Sequence, residues 1–78
     1  MNAMPILRVN VPGVRQFMED KGWSERELAM HMDLAYSYVN RILGEKRQPG
    51  AKFVAGALSL GMRIEDTFII EDTPAKSQ

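Results

Sequence analysis

The stretch WSERELAMHM, residues 23–32, constrains the fold more than any other part of the chain. Ser24 is a natural N-cap, and Glu27 stands three residues later, so each side chain can satisfy a backbone N–H of the other. Trp23 precedes the cap and Leu28 is the fourth helical residue, a pair that fixes how the chain enters the helix. Leu28, Ala29 and Met32 then mark one buried face. Asp33 follows, where a tight turn ends the helix; aspartate tolerates the left-handed region better than most residues. A further helix from about Tyr36 to Leu43 buries Val39, Ile42 and Leu43. A connection as short as Asp33–Ala35 makes the two helices cross steeply, the geometry of a helix-turn-helix unit.

The flanking sequence supplies the remaining elements. Pro12 suits the first turn of a helix in which Val14, Phe17 and Met18 share a face, and Gly22 ends it. Gly44 to Gly50 reads as a polar loop containing Pro49. Another helix from about Ala51 to Leu60 buries Phe53, Val54, Ala57 and Leu58, with Gly61 at its end. Ile64 to Phe68 reads as a short fifth helix. Two β-favouring runs flank this helical body, and residues 6–10 are expected to pair with residues 67–71, a ribbon that packing on helices can support. The expected organisation is an N-terminal arm or strand over 1–10, one domain over 11–71, and a disordered tail over 72–78.

With 78 residues the chain has room for one domain and a modest core. It has no cysteine, which excludes disulfides, a cysteine-based zinc site and a cysteine nucleophile. No apolar run approaches the roughly 18 residues that span a membrane, and the N-terminus does not read as a secretion signal, so a cytoplasmic location is expected. Ten basic residues balance ten acidic ones. They are unevenly placed: Arg41, Lys46, Arg47 and Lys52 face only Glu45 between Tyr36 and Lys52, whereas Glu65, Asp66, Glu71 and Asp72 fill the C-terminal end. A basic patch therefore coexists with neutrality.

The helix over 36–43 would leave Tyr36, Ser37, Asn40 and Arg41 on its outer side. All four carry hydrogen-bonding groups and none is acidic. Arginine can bond the two major-groove acceptors of guanine, asparagine can bond adenine, and tyrosine can meet a phosphate or a thymine methyl. Lys46, Arg47 and Gln48 in the loop that follows are placed for backbone phosphates. Tyr38 is expected to lie partly against the protein, Trp23 to pack as the staple, and His31 to sit on the surface without a metal role. The six methionines read as initiator and core filler.

The text GWSERELAMHMDLAYSYVNRIL, followed by GEKRQPG and later by LGMRIEDTF, resembles the phage-repressor type of helix-turn-helix protein, the XRE family that includes the lambda repressor and Cro proteins. The resemblance covers roughly Val14 to Phe68, with Leu28, Ala29, Met32, Leu34, Val39 and Ile42 matching in type. It implies a lambda-repressor-like, all-α fold, a compact bundle of about five helices, here with the small ribbon added. It also implies that the third helix enters the major groove of double-stranded DNA, with Tyr36, Ser37, Asn40 and Arg41 facing the bases. The sequence departs from the family at Asp33, where glycine is favoured, and at Ala35, where serine or threonine often caps the helix. Glu25 stands where a phosphate-binding glutamine is common and would repel phosphate, leaving Arg26 as its substitute.

The expected function is sequence-specific DNA binding that regulates transcription, by a chain that forms homodimers as such proteins commonly do. The alternative is a protein-interaction module on the same fold, an antitoxin-like or regulator-binding domain, motivated by zero net charge and by apolar Phe68 to Ile70. An enzyme is not expected: there is one histidine, no glycine-rich phosphate loop, and Glu65 and Asp66 diverge as neighbours. No cofactor, metal, small-molecule ligand or membrane partner is implied.

Overall fold

The computed structural model describes residues 3–74, with side chains over 5–72. The elements run in the order β1 (Ala3–Val9), α1 (Val11–Lys21), α2 (Glu25–Met32), α3 (Tyr36–Leu43), α4 (Ala51–Ser59), α5 (Ile64–Thr67) and β2 (Phe68–Pro74). Five helices thus form the body, and the two strands pair antiparallel as one ribbon. The fold is mostly helical but carries a small sheet, so the all-α class describes the body alone.

Local chemistry explains most boundaries. Asn10 caps α1 by accepting from the Gly13 N–H at 3.4 Å. The Ser24–Glu27 capping box is formed in both directions, at 3.2 and 2.8 Å. Four helices end in the same way, with a left-handed residue at Gly22, Asp33, Glu45 or Gly61. At each, the next N–H reaches back to the last turn: Trp23 to Met18 O, Leu34 to Ala29 O, Lys46 to Arg41 O and Met62 to Ala57 O. This pattern satisfies carbonyls that a helix end would otherwise leave unpaired. Glycine adopts the conformation at no steric cost at Gly22; Asp33 and Glu45 adopt it at φ 60° and 59°, on either side of α3. Ala35 leaves α3 without a side-chain cap.

One core holds the body together. Phe53, Leu28, Ile42, Val14 and Val39 are its largest fully buried side chains, joined by Met18, Ala29, Met32, Leu43, Ala57 and Met62. The ribbon docks through Val9 and Phe68, which face each other in register, and the Phe68 ring meets Phe53 edge-on at 6.2 Å. Asn10 knots this end: its N–H donates to Thr67 O at 2.8 Å and its side-chain amide to Asp66 O at 3.0 Å. Gly13 lies so close to Asp66 that a Cβ there would run into the Asp66 carbonyl oxygen.

The structure changes several expectations. The expected pairing of 6–10 with 67–71 is formed over Ile6–Val9 and Phe68–Glu71, and the ribbon continues outward to Ala3 opposite Pro74. Residues 72–74, expected in a disordered tail, therefore belong to β2, because β1 extends far enough to pair with them; 75–78 lie outside the described residues. Leu58 is exposed rather than buried, because Phe53 and Ala57 turn the core face of α4 away from it. Met62 takes the core place beyond the Gly61 turn, and Met30 is exposed. No helix among the described residues is long and apolar enough to cross a membrane.

Candidate nucleic-acid interface

The core fixes α3 from behind. Val39, Ile42 and Leu43 are buried at 0 to 3 % exposure, so the opposite face must point to solvent. Tyr36, Ser37, Asn40 and Arg41 occupy that face, and all four are exposed. The structure thus brings together the four residues expected to read bases. It places Arg26 beside them: the Arg26 guanidinium lies over the Tyr36 ring at 4.2 Å, a cation–π contact that joins the start of α2 to the start of α3.

Asn40 is not loose. Its Nδ2 donates to Glu25 Oε1 at 2.9 Å, and Arg15 donates to Glu25 Oε2 at 2.8 Å. Both carboxylate oxygens are thereby occupied, and the three residues tie α1, α2 and α3 together at one edge of the exposed face of α3. The Asn40 and Arg15 hydrogen bonds hold the Glu25 carboxyl below its ordinary range, despite partial burial that opposes its charge. Glu25, expected to repel phosphate, has its charge offset by Arg15.

The basic loop is anchored at two points. Tyr38 is half-buried, as expected, and its hydroxyl accepts from the Gly50 N–H at 3.1 Å, fixing the far end of the loop. The Arg47 guanidinium lies over the Tyr38 ring at 4.8 Å. At the near end, Arg8 of β1 pairs with Glu45 at 2.6 Å and with Glu71 of β2 at 3.0 Å. Lys46, Arg47 and Gln48 all lie exposed on the segment so held.

The ion pairing sorts the charges. Arg8 and Arg63 take up Glu45, Glu71, Glu65 and Asp66, and Arg15 takes up Glu25. Arg26, Arg41, Lys46 and Arg47 have no carboxylate partner among the described residues. The ion pairs thus gather at the ribbon, at α5 and at Arg15–Glu25, and leave Arg26, Arg41, Lys46 and Arg47 outside them around α3, where Glu27 and Asp33 are also outside any ion pair among the described residues.

Sequence reasoning missed Arg15, the holding role of Glu25, and the anchoring by Tyr38. Each is a contact between residues 10 to 15 positions apart, for which no local spacing rule exists. It also missed that Trp23 stacks on His31, with ring centroids 3.9 Å apart, while meeting Phe17 edge-on at 5.9 Å. Among the described residues, no group of three or more histidines and acids could hold a metal. No protein-family model, curated protein or solved structure matches the chain.

Proposed function

We propose that this chain is a sequence-specific double-stranded DNA-binding regulator of transcription, of the phage-repressor type, which lays α3 in the major groove. The observation that carries the reading is the set of cations without a carboxylate partner among the described residues, Arg26, Arg41, Lys46 and Arg47, bordering an exposed helix face of Tyr36, Ser37 and Asn40. Phosphate attraction supplies most non-specific affinity for DNA, and it needs positive charge that is not already satisfied within the protein. Base reading needs donors and acceptors on a rigid, protruding element, which the core-backed face of α3 provides. In this reading Arg41 bonds guanine, Asn40 bonds adenine, Tyr36 and Ser37 contact the leading bases, and Arg26, Lys46, Arg47 and Gln48 hold phosphates. Such a role places the chain beside the DNA, in keeping with the cytoplasmic expectation, and involves no catalytic step and no cofactor. A homodimer would read two half-sites about one helical turn apart.

The test is selection from a randomised duplex library at two salt concentrations, with Arg41→Ala alongside. The expected result is one enriched motif, binding that weakens steeply with salt, and loss of preference at one position in the variant. Absence of any enriched sequence at low salt sinks the reading.

The second reading, a protein-interaction module, rests on Ile69 and Ile70, which are 47 and 69 % exposed on β2. Pro5 in β1 and Pro74 in β2 remove backbone donors from the ribbon, which weakens strand addition along it. DNA binding is the better supported of the two.

A further inference from the structure

We infer that Glu25 is a positioning residue for base specificity: it holds the Asn40 amide in one of its two orientations, so that α3 selects adenine over guanine at one position of the site. The inference rests on the DNA-binding reading and deepens it.

An asparagine amide can turn over, exchanging its acceptor oxygen for its donor nitrogen at little cost when nothing distinguishes them. Here something does. An ionised carboxylate accepts and cannot donate, so Asn40 must turn Nδ2, not Oδ1, toward Glu25 Oε1. Arg15 fixes the same carboxylate through its other oxygen, so Glu25 does not swing to follow a turned amide. One N–H of Asn40 is spent on this bond. Its Oδ1 and second N–H remain, on the other edge of the amide. That edge matches adenine in the major groove, whose N6 donates and whose N7 accepts. Guanine presents two acceptors, N7 and O6, and would leave Oδ1 facing an acceptor.

Glu25→Gln removes this discrimination without removing the side chain. Arg15 can only donate, so a glutamine at this position turns its oxygen to Arg15 and its N–H toward Asn40, which favours the turned orientation of Asn40. The turned orientation offers its N–H groups outward and suits guanine. Glu25→Ala removes the tether altogether and serves as a second variant.

The experiment repeats the randomised-duplex selection with the full chain, Asn40→Ala, Glu25→Gln and Glu25→Ala, with thermal unfolding to confirm that each variant is folded. The unsubstituted protein is expected to prefer adenine at one position, and Asn40→Ala to lose that preference. Glu25→Gln is expected to cut adenine-over-guanine discrimination there about tenfold, the size of one well-placed hydrogen bond, with other positions unchanged. A merely structural role for Glu25 would lower binding to all sequences alike. In the free protein, one Asn40 side-chain amide proton should be protected from exchange and should lose that protection in Glu25→Gln. A motif that keeps its adenine preference in both Glu25 variants overturns this inference and leaves DNA binding standing. No motif from the unsubstituted protein overturns both.

Discussion

The α2–α3 unit and the β1–β2 ribbon are both paired segments, yet they are held by different forces. The helices close over a turn of three residues, Asp33 to Ala35, and bury Leu28, Ala29, Met32, Val39, Ile42 and Leu43 against a common core. The strands bring together opposite ends of the folded chain and, among their described side chains, bury Val9 and Phe68, with Leu7 packed in part against the core. They carry exposed Ile69 and Ile70 and meet the loop after α3 through the exposed ion pair of Arg8 with Glu45. Apolar burial outweighs exposed ion pairs several-fold per residue. The rigid element is therefore the one that presents Tyr36, Ser37, Asn40 and Arg41, while the ribbon adjusts where the basic loop sits.

The sharpest break in this comparison is Leu28→Ala. Leu28 is fully buried, so the substitution loses transfer energy and leaves a cavity, at a cost of about 2 to 5 kcal/mol. Urea unfolding should show it as a fall in midpoint, large against the total stability of a domain this size. A loss below about 1 kcal/mol would mean that the core does not govern α2 and α3.

The next largest effect tests the junction between body and ribbon. Gly13→Ala drives a Cβ into the Asp66 carbonyl, backbone that cannot move aside without disturbing the Asn10 bonds to Asp66 and Thr67. Overpacking of this kind costs about 1 to 3 kcal/mol. The same substitution on an exposed helix face would instead stabilise, since alanine is the better helix former. A stabilised Gly13→Ala would show that α1 and α5 do not approach as described.

These two sites also mark where sequence reading succeeds. The capping box, the left-handed Asp33 and the apolar spacing of Leu28 to Ile42 act within a few residues, so the α2–α3 unit was legible from local rules alone. The ribbon pairing was legible because two β-favouring runs stand at the ends of the body. Its outward extension was not, since Ala3, Met4, Thr73 and Pro74 carry no alternating pattern. The exposed placement of Tyr36, Ser37, Asn40 and Arg41 on one face of α3 followed from helical periodicity. The Arg15–Glu25–Asn40 chain did not, because charge pattern says which residues attract but not which ones meet. Glu25 looked repulsive for that reason.

Lowering the pH probes the same chain without mutation. Glu25 has a depressed folded pKa, so its contribution to stability is full above the unfolded glutamate value of about 4.3 and fades as pH falls through the folded value. Neutral Glu25 can donate as well as accept, and Arg15 loses its partner. Stability measured from pH 6 downward should therefore fall less in Glu25→Gln than in the unsubstituted protein. Equal pH dependence in the two would remove Glu25 from the account.

Arg8→Ala is the smallest expected effect on stability and the most informative about the ribbon. Both of its ion pairs are exposed, with side-chain exposures of 46 to 54 %, and pairs of this kind contribute about 0 to 1 kcal/mol. Unfolding should hardly change. Glu45, however, holds a left-handed conformation at φ 59° that its side chain does not favour, and the residues after it are Lys46 and Arg47. Losing Arg8 frees Glu45 to turn toward Lys46 or Arg47 and cancel charge that the proposed DNA partner would otherwise meet. The slope of log affinity against log salt should then fall in magnitude by up to about one phosphate contact, with the selected motif unchanged, because α3 is seated by the core and not by the ribbon. A changed motif would mean that the ribbon reaches the exposed face of α3 itself. An unchanged slope would mean that the loop keeps its position through Tyr38 and Gly50 alone, and that the ribbon and the α2–α3 unit share a core but not a function.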